Sequence, residues 1–250
     1  MLDVFGGHGG LAKAVRRRGH AAVIIDLSKG EEFDLLQGDV LALLIGWINS
    51  GQVMAIFCAT PCEGYSRARR APLWSRLPHA LRTPQQVHGL PNSSDADQKS
   101  LDRSNALGRA AALLLRSAIH RSIPAGEENP RDSFLWQQSH HVKLVSSSDG
   151  DYVIDLCAFK RPFRGRTRIL LWNCRAPRLE QCKCKMRGNM CSFSGKPHVV
   201  LSGLAPDRSW MTKLKQVYPT PLCNTLADAL LSQGVRIQAR DLWQVLKPQV

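Results

Sequence analysis

The stretch AIFCATPCEGYSRARRA, residues 55–71, ends an apolar run on Pro61 and Cys62 and passes at once into Glu63, Gly64, Ser66, Arg67, Arg69 and Arg70. A buried strand that needed only to stop could do so with Gly, Asn or Asp; this one delivers a thiol into a polar, cation-rich turn. Neighbouring cations and partial exposure favour the thiolate, the nucleophilic form, so Cys62 is the candidate nucleophile. Cys58, on the apolar run itself, reads as packing.

A second chemical signal opens the chain. LDVFGGHGGLAKAV sets Gly6, Gly7, Gly9 and Gly10 between a strand and a helix, where a backbone free of side chains can turn sharply and approach a ligand. The spacing is neither the dinucleotide fingerprint nor a P-loop, and a turn built on glycine for packing alone stays open. The next strand ends VIID, placing Asp26 beside that loop to accept ribose hydroxyls, and GDV puts Asp39 at a third loop on the same edge.

The third is CKCKMRGNMCSFSGKPH, where Cys182, Cys184, Cys191 and His198 fall within 17 residues. That inventory fits a Cys₃His structural zinc site. Cys174 could substitute for one ligand, and reduced structural thiols or a disulfide are the alternatives. Lys183, Lys185, Arg187 and Lys196 make the stretch strongly basic.

The elements that must position these residues follow a βα rhythm. LDVF, AAVIID and VMAIFCAT read as strands, with LAKAVRRRG and VLALLIGWINS as the helices between them, which argues for a parallel sheet of βαβ units. Residues 67–100, with four prolines, read as a long functional loop. A helix is expected from about Leu101 to Ile119, with Leu107, Ala111, Leu114 and Ala118 on one face and Arg103, Arg109 and Arg116 off it. SIPAGEENP reads as a weak strand ending in a turn, and DYVIDLCAF and RTRILLWNC as two better ones. Composition shifts to Cys, Lys, Gly and Met from Arg175 to about Lys196. CNTLADALLSQG closes with a helix that its Gly would stop. Trp74, Trp136 and Trp172 read as packing.

The order of motifs resembles the S-adenosylmethionine-dependent cytosine-5 DNA methyltransferases. DVFGGHGG matches that family's glycine loop, Asp26 its acidic end of strand two, GDV (Gly38 to Val40) its Gly-Asp-Ile-like turn, and PCEGYS (Pro61 to Ser66) its Pro-Cys nucleophile loop. ENP (Glu128 to Pro130) matches its Glu-Asn turn and RGRTR (Arg164 to Arg168) its Gln-x-Arg-x-Arg, with Arg164 in place of the glutamine. The likeness spans residues 2–172 and is echoed in PTPLCNTLADAL.

The resemblance implies a doubly wound, mostly parallel α/β sheet of the methyltransferase type. It gives a catalytic core over residues 1–174, a short Cys-rich basic insertion at 175–217 where the family has its target-recognition region, and a returning C-terminal helix at 218–250. It implies methyl transfer to C5 of cytosine through attack of Cys62 on C6, with Glu128 at N3 of the base and Arg166 and Arg168 steadying base, sugar-phosphate or thiolate. Phe5, Gly6, Gly7, Gly9, Gly10, Asp26, Asp39 and Pro61 would hold S-adenosylmethionine; Ser66, Arg67, Arg69, Arg70 and Arg164 would hold nucleic acid.

Composition bounds these readings. The 250 residues are enough for one α/β domain with a small insertion, and the net charge of +14, from 34 Lys and Arg against 20 Asp and Glu, points to a polyanion. Nucleic acid is favoured over a membrane surface; charge does not separate DNA from RNA, and it is the resemblance that implies DNA. No leader precedes the opening MLDVFGGHGG and no apolar run reaches the ~18 residues of a membrane helix. The expectation is an intracellular protein, nuclear in a eukaryote and otherwise cytoplasmic, its eight cysteines reduced. Methylation of RNA, and a silent nucleic-acid-binding protein of the same fold, are the competing readings.

Overall fold

The computed structural model describes residues 1–67, 79–91, 93–204 and 210–232. Six strands, β1 Leu2–Val4, β2 Val23–Ile25, β3 Ile56–Cys58, β4 Ala125–Pro130, β5 Gly150–Asp155 and β6 Arg166–Trp172, form one sheet in the order β2-β1-β3-β4-β6-β5. β1 pairs in parallel with β2 and β3, and β3 with β4, whereas β6 runs antiparallel to both β4 and β5. The fold is therefore α/β with a mostly parallel sheet.

Five helices cover the sheet: α1 Gly10–Arg16, α2 Gly38–Asn49, α3 Asp95–His120, α4 Ser139–Ser146 and α5 Thr220–Leu231. Leu11 and Val15 of α1 and Leu222, Leu226 and Leu230 of α5 pack with Phe57, Ile154 and Leu171 on one face. Leu44 and Ile48 of α2, Ala111, Leu114 and Ala118 of α3 and Leu144 of α4 pack with Val4, Ile56 and Leu170 on the other. Covered on both sides, the central strands β1 and β3 are wholly buried, which is why β3 reads as an unbroken apolar run and β1 as one interrupted only by Asp3.

Three boundaries differ from the sequence reading. α3 begins at Asp95, six residues early, because the Ser94 hydroxyl accepts from the Asp97 amide at 3.2 Å while Asp95 and Asp97 sit at the positive helix end. That first turn is polar, so it carries no periodic signal. Glu128, Asn129 and Pro130 are the last three residues of β4 and not a turn, Glu128 lying opposite Ile169 of β6. α4 was not expected at all, and α5 starts at Thr220, ahead of CNTLADALL.

Between β6 and α5 regular structure is sparse. The described part of the Cys-rich segment has 3-10 turns at Pro177–Gln181 and Met211–Lys215 and the isolated bridges Arg187↔Met190, Met190↔Pro197 and Leu204↔Trp210. All eight cysteines are free thiols. Among the described residues no helix is long and apolar enough to cross a membrane. Residues 68–78 and 92 of the proline-rich stretch, Arg69, Arg70 and Trp74 among them, and the glycine expected to stop the last helix lie outside the described residues.

Candidate active site and metal centre

Cys62 emerges at the carboxyl end of β3 and leads into a 3-10 turn, Glu63–Tyr65, closed by the Tyr65 amide donating to the Cys62 carbonyl at 3.0 Å. The turn is pinned from above. Tyr65 is fully buried and donates its hydroxyl to the Ser104 carbonyl of α3 at 2.6 Å, and a side chain at Gly64 would collide with Ser104. Arg82, buried and missed in the sequence, donates to the Gly64 carbonyl at 2.6 Å and stacks on Tyr65 with 4.5 Å to the ring centroid.

β4 holds the loop from behind, and strand alternation divides its polar residues between two tasks. Asn129 donates to the Thr60 carbonyl at 2.6 Å, and the Thr60 hydroxyl donates to Glu127 Oε1 at 2.7 Å. Glu127 is wholly buried and meets an equally buried His141 of α4, whose Nε2 lies 3.0 Å from both carboxylate oxygens. This Thr60–Glu127–His141 chain explains why an acidic residue stands where an interior strand should be apolar.

Glu128 faces the other way. Its Oε2 accepts from Tyr218 at 2.6 Å and its Oε1 from the Thr167 hydroxyl, and burial raises its carboxyl toward the neutral form against those bonds. Burial first, and then the charges of Glu128 and Glu63, push the Cys62 thiol up to about 12. The expectation of a thiolate favoured by neighbouring cations is thus corrected: burial and the Glu128 and Glu63 charges outweigh the opposing Lys215, and Arg67 lies 4.5 Å above the Phe134 ring. Ser66 ends the 3-10 turn.

The arginines of RGRTR are not brought to Glu128. Thr167 takes that place, so its neighbours Arg166 and Arg168 point to the opposite face of β6. Arg168 forms a two-pronged pair with Asp151, 2.8 and 2.5 Å, and lies over Trp136; Arg166 approaches Asp155 at 3.4 Å. Trp136 and Trp172 are buried, as their packing roles require.

Beside this loop a cleft of about 100 Å³ is lined by Phe5, Asp26, Phe33, Asp34, Pro61 and Arg103, among others. Phe5, just before the glycine loop, lines it, whereas Gly6, Gly7, Gly9 and Gly10 do not. Gly9 caps α1 in the left-handed region at φ 67°, and a Cβ on Gly6 would sit 2.7 Å from the Asp3 carboxyl carbon. Gly7 donates to Asp26 Oδ2 and Ser28 to Oδ1, both at 2.9 Å, bonds that lower the carboxyl although burial acts to raise it. Gly10 lies against Cys223 of α5. Asp39 does not line the cleft; it sits exposed in the first turn of α2, and Asp34 takes the position expected for it. Asp3, also unassigned from sequence, is buried, accepts from the Ala12 amide at 3.1 Å and is raised to about 6 by burial.

The cysteine cluster forms with one change. Cys157, Cys184, Cys191 and His198 bring four ligand atoms within 4.8 Å of one another. Cys182 is replaced by Cys157, from the turn after β5; the Cys182 sulfur instead faces the Arg178 carbonyl at 3.4 Å. Cys184 Sγ stands 3.7 Å from Cys191 Sγ and 3.8 Å from His198 Nε2. Tetrahedral zinc with Zn–S of about 2.3 Å and Zn–N of about 2.0 Å has ligand-to-ligand edges of roughly 3.5–3.8 Å, so the donors fit that ion.

Compared with known proteins, the chain matches no family model, no curated protein and no solved structure. The functional reading rests on the site itself.

Proposed function

We propose that the chain transfers a methyl group from S-adenosylmethionine to C5 of cytosine in nucleic acid, DNA ahead of RNA. The observation that carries it is a juxtaposition at the carboxyl ends of β3 and β4: Pro61 lines the cleft with Phe5, Asp26 and Asp34, Cys62 follows Pro61 in the chain, and Glu128 stands on the strand paired with β3. A cofactor cleft, a nucleophile and a buried carboxyl at the carboxyl ends of adjacent strands are what cytosine methylation needs.

Phe5, Asp26, Asp34 and Pro61 would hold the cofactor, which supplies an electrophilic methyl group. The base must be unpaired or flipped to reach Cys62. Thiolate attack on C6 pushes charge into the ring; the Glu128 carboxyl, raised toward its neutral form by burial, would donate a hydrogen bond to N3 and offset that charge. C5 would then take the methyl group, leaving S-adenosylhomocysteine; water would accept the C5 proton, and the electrons of that C–H bond would expel the Cys62 thiolate from C6. Thr167 and Tyr218 fix the Glu128 carboxyl, while Thr60, Asn129 and Arg82 fix the loop that carries Cys62. The exposed Lys183, Lys185, Arg187 and Lys196, with Arg164, supply cations for the phosphates, and the Cys/His cluster holds zinc(II).

The test is incubation with labelled cofactor and separate DNA and RNA pools, digestion, and identification of the nucleoside. Labelled 5-methylcytidine or 5-methyldeoxycytidine is expected; label on another base or none in either pool would reject the reading.

A further inference from the structure

The described residues 183–204 contain two buried side chains, Cys184 and Cys191, and everything else there is exposed or half-buried. Such a segment has no apolar core with which to offset its own ordering entropy. Yet its backbone is fixed against the sheet. The Cys184 amide donates to Asp155 Oδ2 at 2.7 Å, the Asp155 amide donates to the Cys182 carbonyl at 2.8 Å, and Arg164 donates to the Cys184 carbonyl at 3.0 Å. Asp155 is itself buried at the end of β5 and takes Arg164 Nε at 3.0 Å on its other oxygen. Cys157, two residues further on, is the one ligand of the cluster that comes from the core.

We propose that zinc(II) bound by Cys157, Cys184, Cys191 and His198 is a clamp that folds the Cys-rich segment and fastens it to the corner between β5 and β6. The inference rests on the zinc reading above and is independent of methyl transfer. Three ligands from the segment and one from the core make the ion a cross-link between them, and the metal replaces the hydrophobic core that 183–204 lacks. Lys183, Lys185, Arg187 and Lys196, all exposed, are thereby presented from a fixed surface beside Arg164. Cys182 is outside the clamp.

The experiment uses the full chain, purified without a metal-binding tag. Elemental analysis should find about one zinc per chain. Cys157→Ser and Cys191→Ser should each lose the metal, and Cys182→Ser should keep it. Since Cys157 lies in the core, Cys191→Ser serves as the variant that leaves the sheet untouched, with circular dichroism as the check on folding. Trypsin reads the clamp directly: cleavage after Lys183, Lys185 and Arg187 should accelerate roughly ten-fold or more on chelation, and added zinc should restore the protection. Absence of zinc, loss of metal in Cys182→Ser with retention in Cys157→Ser, or a tryptic rate indifferent to chelation would each overturn the proposal. None of these outcomes depends on whether cytosine is methylated.

Discussion

The Cys62 thiol, pushed up to about 12 by burial and by Glu128 and Glu63, should be sluggish toward alkylation in the resting protein. At pH 8 a thiol of that acidity is ionised about once in 10⁴, against roughly one in four for a free cysteine of pKa about 8.5. The more basic thiolate is intrinsically the better nucleophile, which with a Brønsted coefficient of about 0.45 returns roughly 40-fold of the lost ~2,500-fold. The net expectation is iodoacetamide modification roughly 50-fold slower than that of a free thiol, rising about ten-fold per pH unit beyond pH 9. Mass spectrometry of the Cys62 peptide at timed intervals measures it, with N-acetylcysteine as the reference. Glu128→Gln should speed alkylation at the alkaline end of the range, where an ionised carboxyl beside the sulfur hinders thiolate formation, while abolishing methyl transfer, which needs the neutral acid to donate to the base. A Cys62 that reacts as fast as free cysteine, with a plateau below pH 8, would mean the thiolate is already present and would refute this reading of its surroundings.

Three further outcomes are expected. Asp26→Ala should weaken S-adenosylhomocysteine binding by ~1–3 kcal/mol in calorimetry, since it removes the acceptor that orders Gly7 and Ser28; unchanged affinity would take Asp26 out of the cofactor site. His141→Leu leaves the Glu127 carboxylate buried with only Thr60, so urea unfolding should show a loss of ~3–5 kcal/mol, most of it regained in Glu127→Leu/His141→Leu; equal stability of the single variant and wild type would show that the pair is not an ionic one. Duplex binding should fall with salt at a logarithmic slope of roughly −0.9 per phosphate contacted, and a flat response would assign the +14 charge to another partner.

The legible parts of the sequence were those where a local pattern has one physical solution. Covered strands must be apolar on both faces, so β1 and β3 stood out, and a strand–glycine–helix run such as residues 2–15 can only be a tight turn at the sheet edge. Cys62 was legible as a thiol closing an apolar run into a polar turn, whereas Glu128 was singled out only through the motif resemblance of ENP. What was missed depends on long-range placement. Cys157 is 27 positions from Cys184 and meets it only because β5 and β6 turn back on each other, so ligand spacing within one segment favoured Cys182 instead. Asp34 and Asp39 are equally acidic, and which of them reaches the cleft is set by how the chain curls before α2. The short α4 buries only His141 and Leu144, too little to show a period. The placement of Arg166 and Arg168 was within reach: alternation along β6 allows either the two arginines or Thr167 to face Glu128, never all three.

Covalent trapping tests the central claim most directly. An oligonucleotide carrying 5-fluorocytosine at the target position should leave Cys62 bonded to C6 of the methylated base, because fluorine at C5 blocks the elimination that frees the enzyme. The predicted result is a stable adduct mapped to Cys62 by mass spectrometry, lost in Cys62→Ser and kept in Cys58→Ser, whose thiol is buried in the core. An adduct that persists in Cys62→Ser, or methylation by that variant at the wild-type rate, would contradict the account.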